Sequence, residues 1–287
     1  MNRSQWILVG FASVALIGVY LFAKTHQAPA ASKQTEADTH QHDEAEHTAF
    51  DMENYLKTVK AAVSSKDSVE LFTKAEEAYA SLSANTQRAS KAEAAIKLSN
   101  LYASVGDPLG NAYYYNEAAV LMNKTPNWAE SGDRFYSLIS RAPAEDIRTY
   151  LQDGALNAYT KALGGDSTNI NYKLKVAACY VEGGSNPMQG ITMLLGIVKE
   201  DSSNADAQFM LGKFSMMSGQ NEKAINRLEK VLHSQPQNLE AMFLLAQAYK
   251  STGNKEKAVN LFKQCRKLID NEEIQKEIDR YIEELKS

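Results

Sequence analysis

Apolar residues fall along the chain in three regimes. Trp6 to Ala23 reads WILVGFASVALIGVYLFA, eighteen residues without a charge. Thr25 to about Ala49 holds no Leu, Ile, Val or aromatic residue. Beyond it, apolar side chains return at intervals of three and four, the period of a helix with one buried face. The spacing predicts a helical pair over Asp51–Ser64 and Asp67–Ser83 and a helical unit over Ala92–Met122. It predicts two more helices at about Trp128–Ser140 and Asp146–Leu163, joined by an enlarged turn, RAPAED. The last helix, Glu272–Lys286, gathers Ile274, Ile278, Tyr281, Ile282 and Leu285 on one face.

The uncharged stretch spans about 27 Å as a helix, close to the hydrocarbon core of a bilayer. Trp6 and Tyr20 lie near its ends, where amphipathic rings favour the headgroups. We read residues 1–23 as an uncleaved single-pass anchor. The competing reading is a secretory signal peptide, since Ala28-Pro29-Ala30 imitates a cleavage site. Arg3 and the terminal amine precede the span, so the expected orientation keeps the N-terminus cytoplasmic and exports the body. The expected setting is a bacterial inner membrane with the body in the periplasm. Residues 24–49 form a polar tether of net charge −3, from Lys24 and Lys33 against Glu36, Asp38, Asp43, Glu44 and Glu46. His26, His40, His42 and His47 also fall here. With no apolar residues to bury, they read as a solvated segment without fixed metal geometry.

Residues 50–287 are built from repeats. The segment starting at Asn204 realigns with the one starting at Asn238 at a period of 34. Leu211 falls on Leu245, Gly212 on Ala246, Gly219 on Gly253, Ala224 on Ala258 and Leu228 on Phe262. A unit of 35 residues starting at Asn169 precedes them, with Tyr180, Gly184, Gly190, Leu194 and Ile197 in the same order. Ala155, Gly190, Ala224 and Ala258 then hold one register through four successive second helices. Small residues at such positions let two helices approach closely. Gly219 and Gly253 suit the positive φ that follows a helix, and Pro236 stops one.

The pattern resembles the tetratricopeptide repeat family: Leu245, Ala246, Tyr249, Gly253, Ala258, Phe262 and Cys265 in one repeat, and Leu211, Gly212, Gly219, Ala224, Leu228 and Pro236 in the other. Ser215 and Asp270 depart from it. The resemblance implies an all-α fold, a right-handed α-solenoid of tetratricopeptide-type helix pairs preceded by a single transmembrane helix. Its clearest repeats are 169–203, 204–237 and 238–271, and residues 272–287 form the cap a solenoid needs. It also implies a concave face lined by first helices. In this chain those positions are Leu174, Ala178 and Val181, then Phe209, Lys213, Met216 and Met217, then Phe243, Gln247 and Lys250. A clamp for a terminal carboxylate would repeat Lys, Arg and Asn there. Phe and Met suit an apolar peptide instead, and Met adapts to varied partners.

Composition narrows the function. Gly and Pro number 15 and 6, about 7% together, too few turn residues for an all-β fold. A net charge of −4 with no Lys/Arg run disfavours nucleic acid. Cys179 and Cys265 sit among apolar helical residues and read as buried, inert thiols. No phosphate loop, G-x-S-x-G, H-E-x-x-H or Cys-x-x-Cys occurs, so no catalysis, cofactor or metal is expected. His233 reads as a surface residue near a helix end. Of Tyr113, Tyr114 and Tyr115, at most two can face the core. The Gly183-Gly184-Ser185-Asn186-Pro187 run reads as a plain connection between helices. The expected function is a membrane-tethered scaffold that takes a peptide or helix of a partner protein on its concave face, in envelope assembly. The alternatives are self-assembly into homo-oligomers and an accessory subunit of a cytochrome c maturation-type complex.

Overall fold

The computed structural model describes residues 50–183 and 186–286. The predicted anchor and the His-rich tether lie outside the described residues, as do Gly184 and Ser185. Among the described residues there are thirteen α-helices and no strand. None of these helices is long and apolar enough to cross a membrane. α1 (Met52–Ala62) and α2 (Lys66–Ser81) come first. Five pairs follow: α3 (Arg88–Ser104) with α4 (Pro108–Met122), α5 (Thr125–Ile139) with α6 (Glu145–Gly165), α7 (Ile170–Glu182) with α8 (Pro187–Glu200), α9 (Ala205–Met217) with α10 (Asn221–Ser234), and α11 (Leu239–Ser251) with α12 (Lys255–Leu268). α13 (Glu272–Lys286) closes the array.

Local chemistry sets the ends of these helices. Asn169, Asn204 and Asn238, equivalent in the repeat, cap α7, α9 and α11. Their side chains accept the backbone N–H of Tyr172, Ala207 and Ala241 at 3.3, 2.9 and 3.0 Å. An N-cap of this kind satisfies a donor that the first turn leaves unpaired. Pro108 and Pro187 open α4 and α8, where a missing N–H costs nothing. Gly106, Gly219 and Gly253 turn the chain between helices with φ of 78, 72 and 77°. The following N–H groups of Asp107, Gln220 and Asn254 return to the carbonyls of Tyr102, Ser215 and Tyr249 at 2.9, 2.8 and 2.8 Å. Each closes a Schellman motif on a residue that only Gly fills without strain.

Within a pair, a small residue on one helix meets a large one on the other. Gly212 faces Leu228, and Gly132 faces the Tyr159 ring. Ala155, Ala224, Ala246 and Ala258 are fully buried. The N-terminal pairs share an aromatic core: Phe72 meets Tyr102 edge-on at 4.8 Å, and Tyr102 stacks on Tyr114 at 5.4 Å. α1 docks onto this part through side chains. The Tyr55 hydroxyl donates to Asp107 at 2.7 Å, and the Phe50 ring meets Tyr150 at 5.4 Å. At the other end, Ile278, Ile282 and Leu285 of α13 are buried, and Tyr281 stacks on Phe262 at 5.5 Å.

The α5/α6 turn, residues 140–144, is the longest within the five pairs, as expected, and most of the extra length is helical: α6 runs for 21 residues.

Candidate functional site

The first helices carry the predicted concave positions, and the structure divides them. Leu174, Ala178 and Phe243 belong to the interior, which corrects their assignment to a binding surface. Leu174 is 8% exposed and packs with Ile191, Leu194 and Leu211. Phe243 is 6% exposed, edge-on to Phe262 at 5.6 Å and to Tyr281 at 6.1 Å. α13 reaches α11 there through Tyr281 and Glu284. Val181, Phe209, Met216 and Gln247 are half-buried, and Met217 is 57% exposed. Phe209, Lys213, Met216 and Met217 follow one another at helical spacing along α9, so they share a face.

The structure adds charges to this face. The Lys213 ammonium lies 2.9 Å from one oxygen of Glu182 at the end of α7, and the Tyr136 hydroxyl of α5 donates to the other. Glu240, in the first turn of α11, interacts with the same lysine. Burial works against the charge on Lys213, yet Glu182 and Glu240 hold its pKa above the ordinary lysine value. Burial raises the Glu240 carboxyl, Lys213 pulls it back, and Glu182 raises it further. One ammonium thus pairs with Glu182 and feels Glu240 as well, a formal excess of one negative charge among the three groups. Toward the N-terminus, Lys175 of α7 pairs with Asp133 of α5, which also accepts the Tyr159 hydroxyl at 2.7 Å. Toward the C-terminus, Lys250 pairs with Glu284 of α13 at 3.0 Å and sits over the Tyr281 ring. Lys213 and Lys250 are thus parts of ion pairs between neighbouring helices. Their partners lie 31 and 34 residues away, beyond what a pattern within one helix can show.

The remaining candidates are structural. Cys179 and Cys265 are buried, and burial pushes both thiols up to about 12. His233 is exposed in the last turn of α10. Tyr114 enters the core, Tyr113 meets it edge-on at 5.0 Å, and the Arg134 guanidinium covers Tyr115 at 4.0 Å. Among the described residues no group of three His, Cys, Asp or Glu could hold a metal ion.

Residues 215–276 match the tetratricopeptide repeat family model. No curated protein matches the chain significantly. Among solved structures, the APC/C hetero-tetramer Cut9-Hcn1 aligns at a TM-score of 0.50 with 14% identity, covering 76% of this chain and 39% of that one. YrrB, described as a TPR protein with an unusual peptide-binding site, aligns at 0.45 with 17% identity over 73% of this chain and 97% of that one. PilW, a type IV pilus biogenesis factor, aligns at 0.48 with 15% identity over 74% and 99%. The match places a tetratricopeptide repeat in residues 215–276, across α9 to α13, and the alignment with Cut9-Hcn1 shows a shared fold of stacked helix pairs.

Proposed function

We propose that the protein is a membrane-tethered interaction scaffold in a bacterial envelope, held by residues 6–23 and binding a segment of a partner protein on its first-helix face. The observation that supports this reading is the strip along α9. Phe209, Met216 and Met217 offer apolar contact beside Lys213, whose two carboxylate neighbours leave an excess negative charge. A partner segment with apolar side chains and one Lys or Arg matches that strip. The ammonium or guanidinium would bridge Glu182 and Glu240, and the apolar residues would cover the methionines. A tether of about 25 residues reaches roughly 25–30 Å, which keeps the array close to the bilayer and raises the local concentration of membrane partners.

The test places a photocrosslinking amino acid at Met217 of the full chain in its own membrane, with Leu268 as an exposed control on α12. A discrete adduct with another protein at 217, absent at 268 and lost in Glu182→Lys, is the expected outcome. Equal labelling at both positions, or none at 217, sinks the reading, and an adduct of twice the chain mass favours self-assembly. Alkaline extraction that releases the intact chain from membranes would overturn the tether.

A further inference from the structure

A second surface lies between second helices and goes beyond the reading above. α8 and α10 flank a groove of about 590 Å³ whose two walls differ in chemistry. The α8 wall is apolar, built from Met188, Ile191 and Leu195, with Met188 65% and Leu195 44% exposed. The α10 wall is basic, built from Lys223, Arg227 and Lys230. No Asp or Glu lines the groove. The basic residues recur at i, i+4 and i+7, so they form one stripe about 10 Å long, as do Met188 and Leu195 opposite.

Four cations pair across helices, Lys60 with Glu76, Lys175 with Asp133, Lys213 with Glu182 and Arg266 with Asp279. Lys223, Arg227 and Lys230 take part in none of the ion pairs among the described residues. Arg227 instead points one guanidinium nitrogen at the buried Gln208 amide oxygen, 2.9 Å away, and Lys223 donates to Gln220 at 2.6 Å. Burial without a carboxylate pulls the Arg227 pKa below the ordinary guanidinium value. Three cations facing exposed aliphatic side chains are complementary to an anionic, partly apolar occupant.

We propose that the α8/α10 groove docks an acidic amphipathic helix of a partner protein, its carboxylates on Lys223, Arg227 and Lys230 and its apolar face on Met188, Ile191 and Leu195. The two-turn cadence of both walls matches a helical occupant. The chain's own acidic segment, residues 34–49, could meet the cations, but its only large apolar side chains are absent: it has no Leu, Ile, Val or aromatic residue to cover the α8 wall. The first-helix strip does the opposite, offering excess negative charge, so the two surfaces select partners of opposite sign.

The probe is a fluorescent 18-residue model helix with Glu at i, i+4 and i+7 and Leu on the adjoining face, titrated by anisotropy against the full chain in detergent. The expected result is saturable binding that weakens with salt and falls about tenfold or more in Lys223→Glu/Lys230→Glu. Leu195→Asp should weaken it comparably, Glu182→Lys should leave it unchanged, and the matching Lys-for-Glu helix should not compete. Circular dichroism of each variant reports that the fold is intact. No saturable binding, or equal affinity for the double charge reversal, overturns the proposal. So does equal binding of a residue 34–49 peptide, which would give the groove to the tether, or self-association abolished by the double reversal, which would give it to a second copy.

Discussion

Gly132→Ala isolates the close approach on which a helix pair depends. A methyl built on Gly132 falls 2.4 Å from two carbons of the Tyr159 ring and 2.9 Å from a third. Carbon atoms in contact sit about 3.5–4.0 Å apart, so about 1 Å of relief is required. The ring has no free direction. It is 2% exposed, its hydroxyl is held by Asp133 at 2.7 Å, and Lys175 covers its face at 5.0 Å. α5 and α6 must therefore move apart. Overpacking of this kind costs about 1–3 kcal/mol, while Ala in a helix interior recovers about 0.5–1, leaving a net loss of about 1–2 kcal/mol. Gly212→Ala is the internal control. Its methyl would lie 3.0 and 3.1 Å from the branched end of Leu228, which can shift, so the two terms should cancel to within about 0.5 kcal/mol. The next repeat has a fully buried Ala246 at the position of Gly212, so the position accepts a methyl where the helices are spaced for one. Urea titration followed by far-UV circular dichroism measures both variants, and a cycle with Tyr159→Leu measures the coupling. If Gly132→Ala matches the wild type, or Gly212→Ala is the worse of the two, ring contact does not set the spacing.

Phe262→Ala should cost about 3–5 kcal/mol in the same titration, because it empties a fully buried site between Phe243 and Tyr281 and loosens the cap. An equal rise in amide exchange along α1 and α13 would contradict a local effect. Asp107→Ala should cost about 2 kcal/mol, since its carboxylate caps α4 through the Leu109 and Gly110 N–H groups at 3.2 Å and holds Tyr55. Faster exchange in α1 than in α11 is the signature to look for. The thiols of Cys179 and Cys265 should resist a disulfide-exchange reagent at pH 8 in the native protein and react in denaturant; rapid native labelling would place them at the surface. Their folded-state pKa of about 12 lies above the ordinary 9.0, so the stability tied to the neutral thiols is complete below pH 9 and is lost as the pH rises through 12. Alkaline denaturation that is unchanged in Cys265→Ser would exclude that contribution.

The features that the sequence made legible are those decided within one helix pair. An Asn cap, a Gly at positive φ and a small residue facing a large one each depend on neighbours inside the same helix pair, 27 positions away for Gly132 and Tyr159 and 16 for Gly212 and Leu228. They recur every 34 or 35 residues, so Asn169, Asn204 and Asn238 could be recognised together. The exposed faces are another matter. Phe209 and Phe243 stand 34 residues apart and look equivalent, yet one is half-buried on an open face and the other lies under Tyr281. The difference comes from α13, which sets the Tyr281 ring against Phe243. The ion pairs of Lys213 and Lys250 were hidden for the same reason, because each partner belongs to a different helix pair.

The α5/α6 hairpin shows how an insertion can escape a register that otherwise holds. Ala155, Gly190, Ala224 and Ala258 keep spacings of 35, 34 and 34, so the second helices align without a gap. The facing glycines do not. Gly212 precedes Ala224 by 12 residues, whereas Gly132 precedes Ala155 by 23, although both glycines meet the residue four positions after that alanine. Eleven residues are thus added between the two contacts. They carry the helical period themselves, as Phe135, Tyr136 and Ile139 lead into Ile147, Tyr150 and Leu151. Nine of the eleven therefore lengthen the two helices, and two enlarge the turn between them. The lengthened end is where Tyr150 meets Phe135 at 5.9 Å and Phe50 at 5.4 Å. The insertion thus gives Phe50, just ahead of α1, an aromatic seat on α6.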